Sequence, residues 1–276
     1  MINAAIATGD ADKVRTVVEI ARSTNPDDLA EIDAIYRPFV DGQKRLAADK
    51  AARKEAEIRE AGLLDNWSGK GELGASRSTG NSREIGVTAG LGLKREGIDW
   101  DHKLKVLVDY RRSNGVKTKE QYLLAYEPNY RISRRLFAYG LGQYERDRFQ
   151  GFSSRVSVSG GLGYRVIDRK RMKLAVKGGP AWRRTWLVPD GSGSSLAALA
   201  ALDFDWHFAK NLKLTEDASA YLQSDNSSFN STTGLEAQIN GNLAARLSYT
   251  VEHDTDPPPG AVRTDTLSRV TLIYDF

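Results

Sequence analysis

From Trp67 to the last residue, apolar and polar side chains alternate with a period of two, whereas before Gly62 they recur with the period of a helix. In an extended chain successive side chains point to opposite faces, so period two marks strands with one apolar and one polar surface. The stretch "DWDHKLKVLVDYRR" sets Trp100, His102, Leu104, Val106, Val108 and Tyr110 against Asp101, Lys103, Lys105, Leu107, Asp109 and Arg111. Runs of this kind predict twelve strands, at 67–78, 82–95, 99–112, 117–129, 135–146, 153–166, 171–184, 195–209, 212–223, 231–240, 242–253 and 264–276. The run 212–223 is the least regular, because Glu216 falls on its apolar side, and a bulge or a shifted register is expected there.

The first 62 residues read as a helical segment. Val14, Val17, Val18 and Ala21 form one stripe; "NPDD" then offers Asn25 as a cap and Pro26 at the first turn of a second helix. Leu29, Ile32, Tyr36 and Phe39 continue the apolar stripe until Pro38 and Gly42, which are expected to interrupt the helix. From Gln43 to Glu60 the chain is Ala, Lys, Arg and Glu with pairs such as Glu55/Arg59, the pattern of a solvated helix ending near Gly62.

Alternation by itself fits a soluble β-sandwich as well. The polarity of the minority face and the placing of the aromatics favour another solution. Several strands oppose two or more charges to a continuous apolar strip, and Trp100, Tyr110, Tyr122, Tyr130, Tyr139, Tyr164, Trp182, Trp206 and Phe208 stand near strand ends. Lipid outside, aromatic girdles at the edges and a polar lumen account for both features. The expected fold is all-β, a 12-stranded antiparallel transmembrane β-barrel over residues 63–276, preceded by the helical segment 1–62. "REGI", "ISR", "IDRK", "AKN" and "NG" read as tight turns; "RSNGV", "DRFQGF", "TWLVPDGSGS", "SDNSSFN" and "HDTDPPPGAVR" read as longer loops, and only "STGN" breaks the rule. An even strand number with short turns on one side places both barrel termini and the helical segment in the periplasm.

Composition narrows the function. A hydrophobic content of 40% and the lack of any run near the about 18 apolar residues that a membrane helix needs exclude a helical membrane protein. With no cysteine, thiolate metal sites and cysteine nucleophiles are excluded. Lys and Arg number 40 against 36 Asp and Glu, a net charge of +4 without a basic block, so no nucleic acid partner is expected. No cofactor and no metal centre is expected either. The opening "MINAAIATGDAD" lacks the basic start and apolar core of a signal peptide.

Inward positions assigned by parity carry the candidate chemistry. Lys103, Lys105, Arg111, Arg155, Arg165, Lys173, Lys177 and Arg183 lie on earlier strands; Asp203, Asp205, Asp217 and Glu236 lie on later ones. Two walls of opposite sign are expected, with a transverse field between them if water separates them and a salt-bridged plug if they touch. The primary expectation is a narrow pore for ions or small polar solutes; the alternatives are a plugged structural barrel and adhesion through the outer loops. An outer-membrane hydrolase is the rival from another class. Its one constellation is His253 in "EHDTD" beside Asp254 and Asp256, which reads more simply as a solvated acidic loop, so no enzyme is expected. His102 reads as interfacial and His207, beside Asp205, as part of a lumen network. Gly160, Gly161 and Gly163 read as glycines that relieve crowding inside the barrel.

The stretches "NWSGKGELGASRSTGNS", "EQYLLAYEPNYRISRRLFAYGLGQYERDRFQGF" and "TDTLSRVTLIYDF" resemble the salt-induced outer-membrane protein family, over roughly residues 65 to 276. The resemblance implies a bacterial outer-membrane barrel in contact with lipid and associated with salt or osmotic conditions. It implies no catalytic or ligand-binding residues. The closing strand, with Tyr274 and the terminal Phe276, is similar to the signal that the barrel assembly machinery reads, which makes that machinery an expected partner.

Overall fold

The computed structural model describes residues 1–62, 65–78, 84–224, 226–257 and 263–276. Two compact units divide the chain, Met1–Gly62 and Leu63–Phe276. The first contains α1 (Ile2–Ala7), α2 (Ala11–Thr24) and α3 (Leu29–Glu60). Val14, Val18 and Ala21 of α2 bury against Ile2 and Ala5 of α1 and Ile32 of α3, with Ile35, Tyr36 and Phe39 packed around them. Asp10 starts α2 by accepting the backbone N–H groups of Lys13 at 3.2 Å and Asp12 at 3.1 Å. Those bonds, the one from Lys13 foremost, hold the Asp10 carboxyl below its ordinary pKa.

Two expectations about this unit give way. Asn25 caps no helix through its side chain; its amide donates to the Ala21 carbonyl at 3.1 Å, and a 3-10 turn, Pro26–Asp28, precedes α3. Helix α3 also runs unbroken through Pro38 and Gly42. An interior proline costs about 3 kcal/mol, a local penalty that does not split the helix when both flanks are favourable. Before it Ile32 is buried, and after Gly42 strong helix formers follow, tied by Arg59 to Glu55 at 2.7 Å. Among the described residues no helix is long and apolar enough to cross a membrane.

The second unit is a closed antiparallel barrel of twelve strands, each paired with its neighbours in sequence and the first with the last. They are β1 (Trp67–Ser78), β2 (Glu84–Glu96), β3 (Trp100–Ser113), β4 (Val116–Arg131), β5 (Leu136–Asp147) and β6 (Phe152–Arg169). They continue as β7 (Met172–Leu187), β8 (Ser192–Trp206), β9 (Leu212–Leu222), β10 (Ser228–Gln238), β11 (Leu243–Asp254) and β12 (Thr264–Asp275). The seam between β1 and β12 runs from Lys70 opposite Asp275 to Ala75 opposite Val270. Phe276 extends it: Gly69 N–H donates to the Phe276 carbonyl at 2.8 Å, and Phe276 N–H donates to the Gly69 carbonyl at 2.9 Å. A Cβ on Gly69 would lie 2.2 Å from the Phe276 ring, so the terminal aromatic covers a glycine across the closing seam.

The outward face carries large apolar side chains in the open, among them Leu196 at 80% exposure, Leu73 at 69% and Val270 at 59%. Such a surface is unfavourable in water and suited to hydrocarbon. At the end where β1 begins and β12 finishes, Trp100 packs on Tyr130 (5.1 Å between ring centres), Trp206 on Phe208 (5.6 Å) and Tyr274 on Phe276 (6.5 Å). This is the exterior of a transmembrane barrel.

Several local expectations are corrected. Tyr139 belongs to no girdle: it shares the inward parity of Phe137 and Leu141, is 5% exposed, and its hydroxyl meets Ser159 Oγ at 3.1 Å. β9 keeps a regular register on both sides. Its outward Glu216 accepts hydrogen bonds from the Ser231 hydroxyl at 2.6 Å and from Thr233 on β10, which satisfies the carboxylate without a bulge. "RSNGV" is a tight hairpin, since Asn114 and Gly115 take φ of 49° and 82°, the left-handed pair that matches strand twist. β6 and β8 likewise extend into the expected long loops, leaving 148–151 and 188–191 as their connections. Residues 79–81 of the expected "STGN" turn and 258–260 of "DPPPG" lie outside the described residues.

Gly163 faces inward beneath Phe137, and a Cβ there would lie 2.1 Å from the ring. Gly163→Ala is therefore expected to destabilise the barrel by about 1–3 kcal/mol. The measurement is the temperature at which unboiled protein loses its folded mobility on SDS gels, and Phe137→Leu in the same chain should restore part of the loss.

Candidate functional site

Strand parity sends one face of every strand into the lumen, and the lumen is filled unevenly. Phe137 and Tyr139 of β5, Ala181 of β7, Leu199 of β8 and Tyr221 of β9 form an apolar cluster inside the barrel, with Leu141 and Ala197 against it. Gly161 and Gly163 of β6 make room for it, the first under the β7 backbone and the second under Phe137. The other side is open. A cavity of about 780 Å³ is lined from Ser68, Lys70 and Asp275, at the end where β1 begins and β12 finishes, to Asp254 and Asp265 at the far end. The cavity is thus eccentric, walled mainly by β1–β4 and β9–β12.

Inward side chains form a set of ion pairs, among which Glu72, Lys103, Asp109, Arg111, Lys119, Arg246, Glu252 and Arg269 line the cavity. Along one side, Asp205 meets Lys213 at 3.5 Å, Lys213 meets Glu236 at 2.8 Å, Glu236 meets Arg246 at 3.6 Å and Arg246 meets Glu72 at 2.6 Å. In the middle, the Glu127 carboxylate holds Lys177 at 2.5 Å and Lys103 at 3.4 Å. Lys177 reaches Glu127 of β4 from β7, passing strands whose inward positions there include Gly161 and Gly163. Toward the far end Asp109 binds Arg111, at 3.1 Å, and Arg269. Near that mouth Lys119 of β4 meets Glu252 of β11 at 3.4 Å, and Glu252 also accepts Gln150, from the turn 148–151, at 2.5 Å. Asp147 fixes that turn by accepting the backbone N–H groups of Phe149 and Gln150 and stands 3.8 Å from Lys119.

The sequence-derived lumen residues take the following places. Lys103 and Lys177 share Glu127, Arg111 pairs with Asp109, and Arg165 stands 3.6 Å from Asp101. Lys105 is exposed to the cavity. Lys173 lies opposite Asp205 in register, and Asp203 lies opposite Asp217, carboxylate facing carboxylate. Glu236 joins Lys213 and Arg246, while Arg155 and Arg183 stand together near the far end. Two walls of opposite sign do not form. Acids on early strands (Glu72, Asp101, Asp109, Glu127) and bases on late ones (Lys213, Arg246, Arg269) neutralise each wall locally. All seven share the inward parity that was readable along the strands, but their partners were not.

The histidines do not assemble a catalytic group. His253 has its Nδ1 at 2.8 Å from Thr264 Oγ1 and its ring against Phe229, with which it pairs in register, whereas the next residue along the strand, Asp254, has the opposite parity and pairs with Ser228. His102 stacks between Trp100 and Tyr126 and meets the Tyr126 hydroxyl at 2.9 Å. His207 lies beyond β8 and is exposed, so it joins no lumen network.

The chain belongs to the family described as "Protein of unknown function, DUF481", whose model matches residues 71–276. It is 21% identical over 211 residues to the uncharacterized protein YdiY of Escherichia coli (strain K12), covering 76% of this chain and 83% of the relative. Among solved structures it is similar to the translocator domain of the autotransporter NalP from Neisseria meningitidis, with 13% identity and a TM-score of 0.48 over 85% of this chain and 98% of the other. It is also similar to the COG4313 outer membrane channel from Pseudomonas putida F1, with 9% identity and a TM-score of 0.46 over 79% of this chain and 100% of the other.

Glu127 holds two ammonium groups in a region where it is 9% exposed. Glu127→Gln is expected to cost about 3 kcal/mol, because removing one partner leaves buried charge uncompensated. Glu120→Gln, at the more exposed pair with Lys117, should cost far less, because water screens that pair. Urea midpoints of the detergent-folded protein compare the two.

Proposed function

We propose that the chain is a narrow, water-filled pore of a bacterial outer membrane for ions or small polar solutes. The observation that carries this reading is the charged cavity of about 780 Å³ whose lining reaches both ends of the barrel. Lys105 and Asp217 are exposed to that cavity, the behaviour of charges that face water within a barrel. In this reading the helical segment 1–62 and the C-terminus lie in the periplasm, the pore works under salt or osmotic stress, and a chemical reaction is no part of its role. The rival is a plugged barrel, favoured by the contacts that Glu252 makes with Lys119 and Gln150 near the mouth.

Single-channel recording in a planar bilayer decides between them. Lys105→Glu leaves the Glu127 network intact and places a negative charge in the passage, so the reversal potential in a salt gradient should move toward cation selectivity. Silence of both forms at every voltage would establish the plug.

Phe276 combines the final seam hydrogen bonds with the cover over Gly69. In the proposed role it is also read by the barrel assembly machinery, together with Tyr274. Deleting Phe276 is then expected to change refolding into detergent little and to lower sharply the heat-modifiable protein in the outer-membrane fraction of cells. Equal amounts in cells with and without Phe276 would leave it a seam residue alone.

A further inference from the structure

The far half of the lumen holds two arginines that are buried without a carboxylate partner among the described residues. Arg155 of β6 is 9% exposed and Arg183 of β7 is 4% exposed, and both line the cavity. They are diagonal neighbours, since Arg155 opposes Thr185 and Ser157 opposes Arg183. Each guanidinium lies over an aromatic ring, Arg155 at 3.9 Å from the Phe152 ring centre and Arg183 at 4.0 Å from that of Tyr221. Stacking fixes the planes and leaves the N–H edges free to bond in plane.

Their hydrogen bonding is unusual for charges in this barrel, where most inward cations meet a carboxylate. Arg183 donates to Ser157 Oγ at 3.3 Å, Gln223 Oε1 at 3.1 Å and Ser228 Oγ at 2.9 Å, all neutral acceptors. Gln223 is itself turned toward Arg183 by its amide bond to Ser195. Arg155 Nε is buried with no partner at all. Glu145 stands opposite Arg155 and Asp254 opposite Ser228 in register, and neither closes an ion pair with the two arginines.

We propose that Arg155 and Arg183 form a binding site for small organic monocarboxylates with a planar apolar body. The proposal rests on the reading of the lumen as open to solutes. A planar carboxylate matches the guanidinium fork of Arg155, whose Nε has no partner, Tyr221 of the inner cluster lines the cavity, and Glu145 and Asp254 disfavour groups of higher negative charge.

Calorimetric titration of the full chain, folded in detergent, tests the site without any need for conductance. The probes are benzoate, its neutral analogue benzyl alcohol, and inorganic phosphate. Wild-type protein is expected to bind benzoate at least about tenfold more tightly than either of the others, and Arg155→Gln should weaken benzoate by about tenfold. Equal binding of benzyl alcohol, preference for phosphate, or benzoate affinity unchanged in Arg155→Gln would each overturn the proposal. The wild-type comparison stands even if the variant does not fold. Bilayer recording of the same preparation separates the two readings: conductance with no benzoate binding removes the site and leaves the pore, and benzoate binding without conductance removes the pore and leaves the site.

Discussion

Closure of the sheet is the constraint on which everything else depends. In hydrocarbon an unpaired backbone amide or carbonyl has no water to turn to, so an open edge is excluded and the first strand must find the last. Here that contact joins Lys70–Ala75 to Val270–Asp275 and ends on the paired backbones of Gly69 and Phe276. The glycine admits the ring, and the ring covers the glycine. The seam is therefore set by geometry at its last rung as well as by the hydrogen bonds along it.

Closure also fixes what the interior can be. Once every strand pairs on both sides, half of the side chains must fill or line a space whose width the strand number bounds. The chain divides that space into an apolar side, built on Phe137, Tyr139, Leu199 and Tyr221, and a charged side that stays open. The glycines of β6 are what allow the first: side chains at 161 and 163 would collide with the β7 backbone and with Phe137. Large residues on one arc and small or charged ones on another leave an eccentric cavity in a round barrel.

Charges along the cavity are balanced by neighbours more than by opposite walls. A carboxylate shared by two cations, as Glu127 is by Lys103 and Lys177, retains its charge at the cost of leaving water, and the pairing offsets that cost only while both partners remain. The exceptions are informative. Asp203 directly opposes Asp217, and Arg155 is a diagonal neighbour of Arg183, so at these two places like charges approach each other on the sheet, which is unfavourable.

The class of structure is legible in the chain alone, because the alternation of side chains along a strand is local. "DWDHKLKVLVDYRR" declares two faces without reference to any other segment, and twelve such stretches with an apolar outward face leave a closed barrel as the solution. The alternation also placed Lys103, Lys177, Arg183 and Glu236 on the inward parity. Local signals misled where packing overrode them: α3 continued through Pro38, and Tyr139 turned from the expected girdle into the lumen. Which inward residues meet depends on the folded sheet. Lys119 and Glu252, or Arg246 and Glu72, are more than a hundred residues apart in the chain, and their approach is set by the curvature and stagger of the closed sheet. Parity can say that a charge enters the lumen; the shape of the barrel alone says what it finds there.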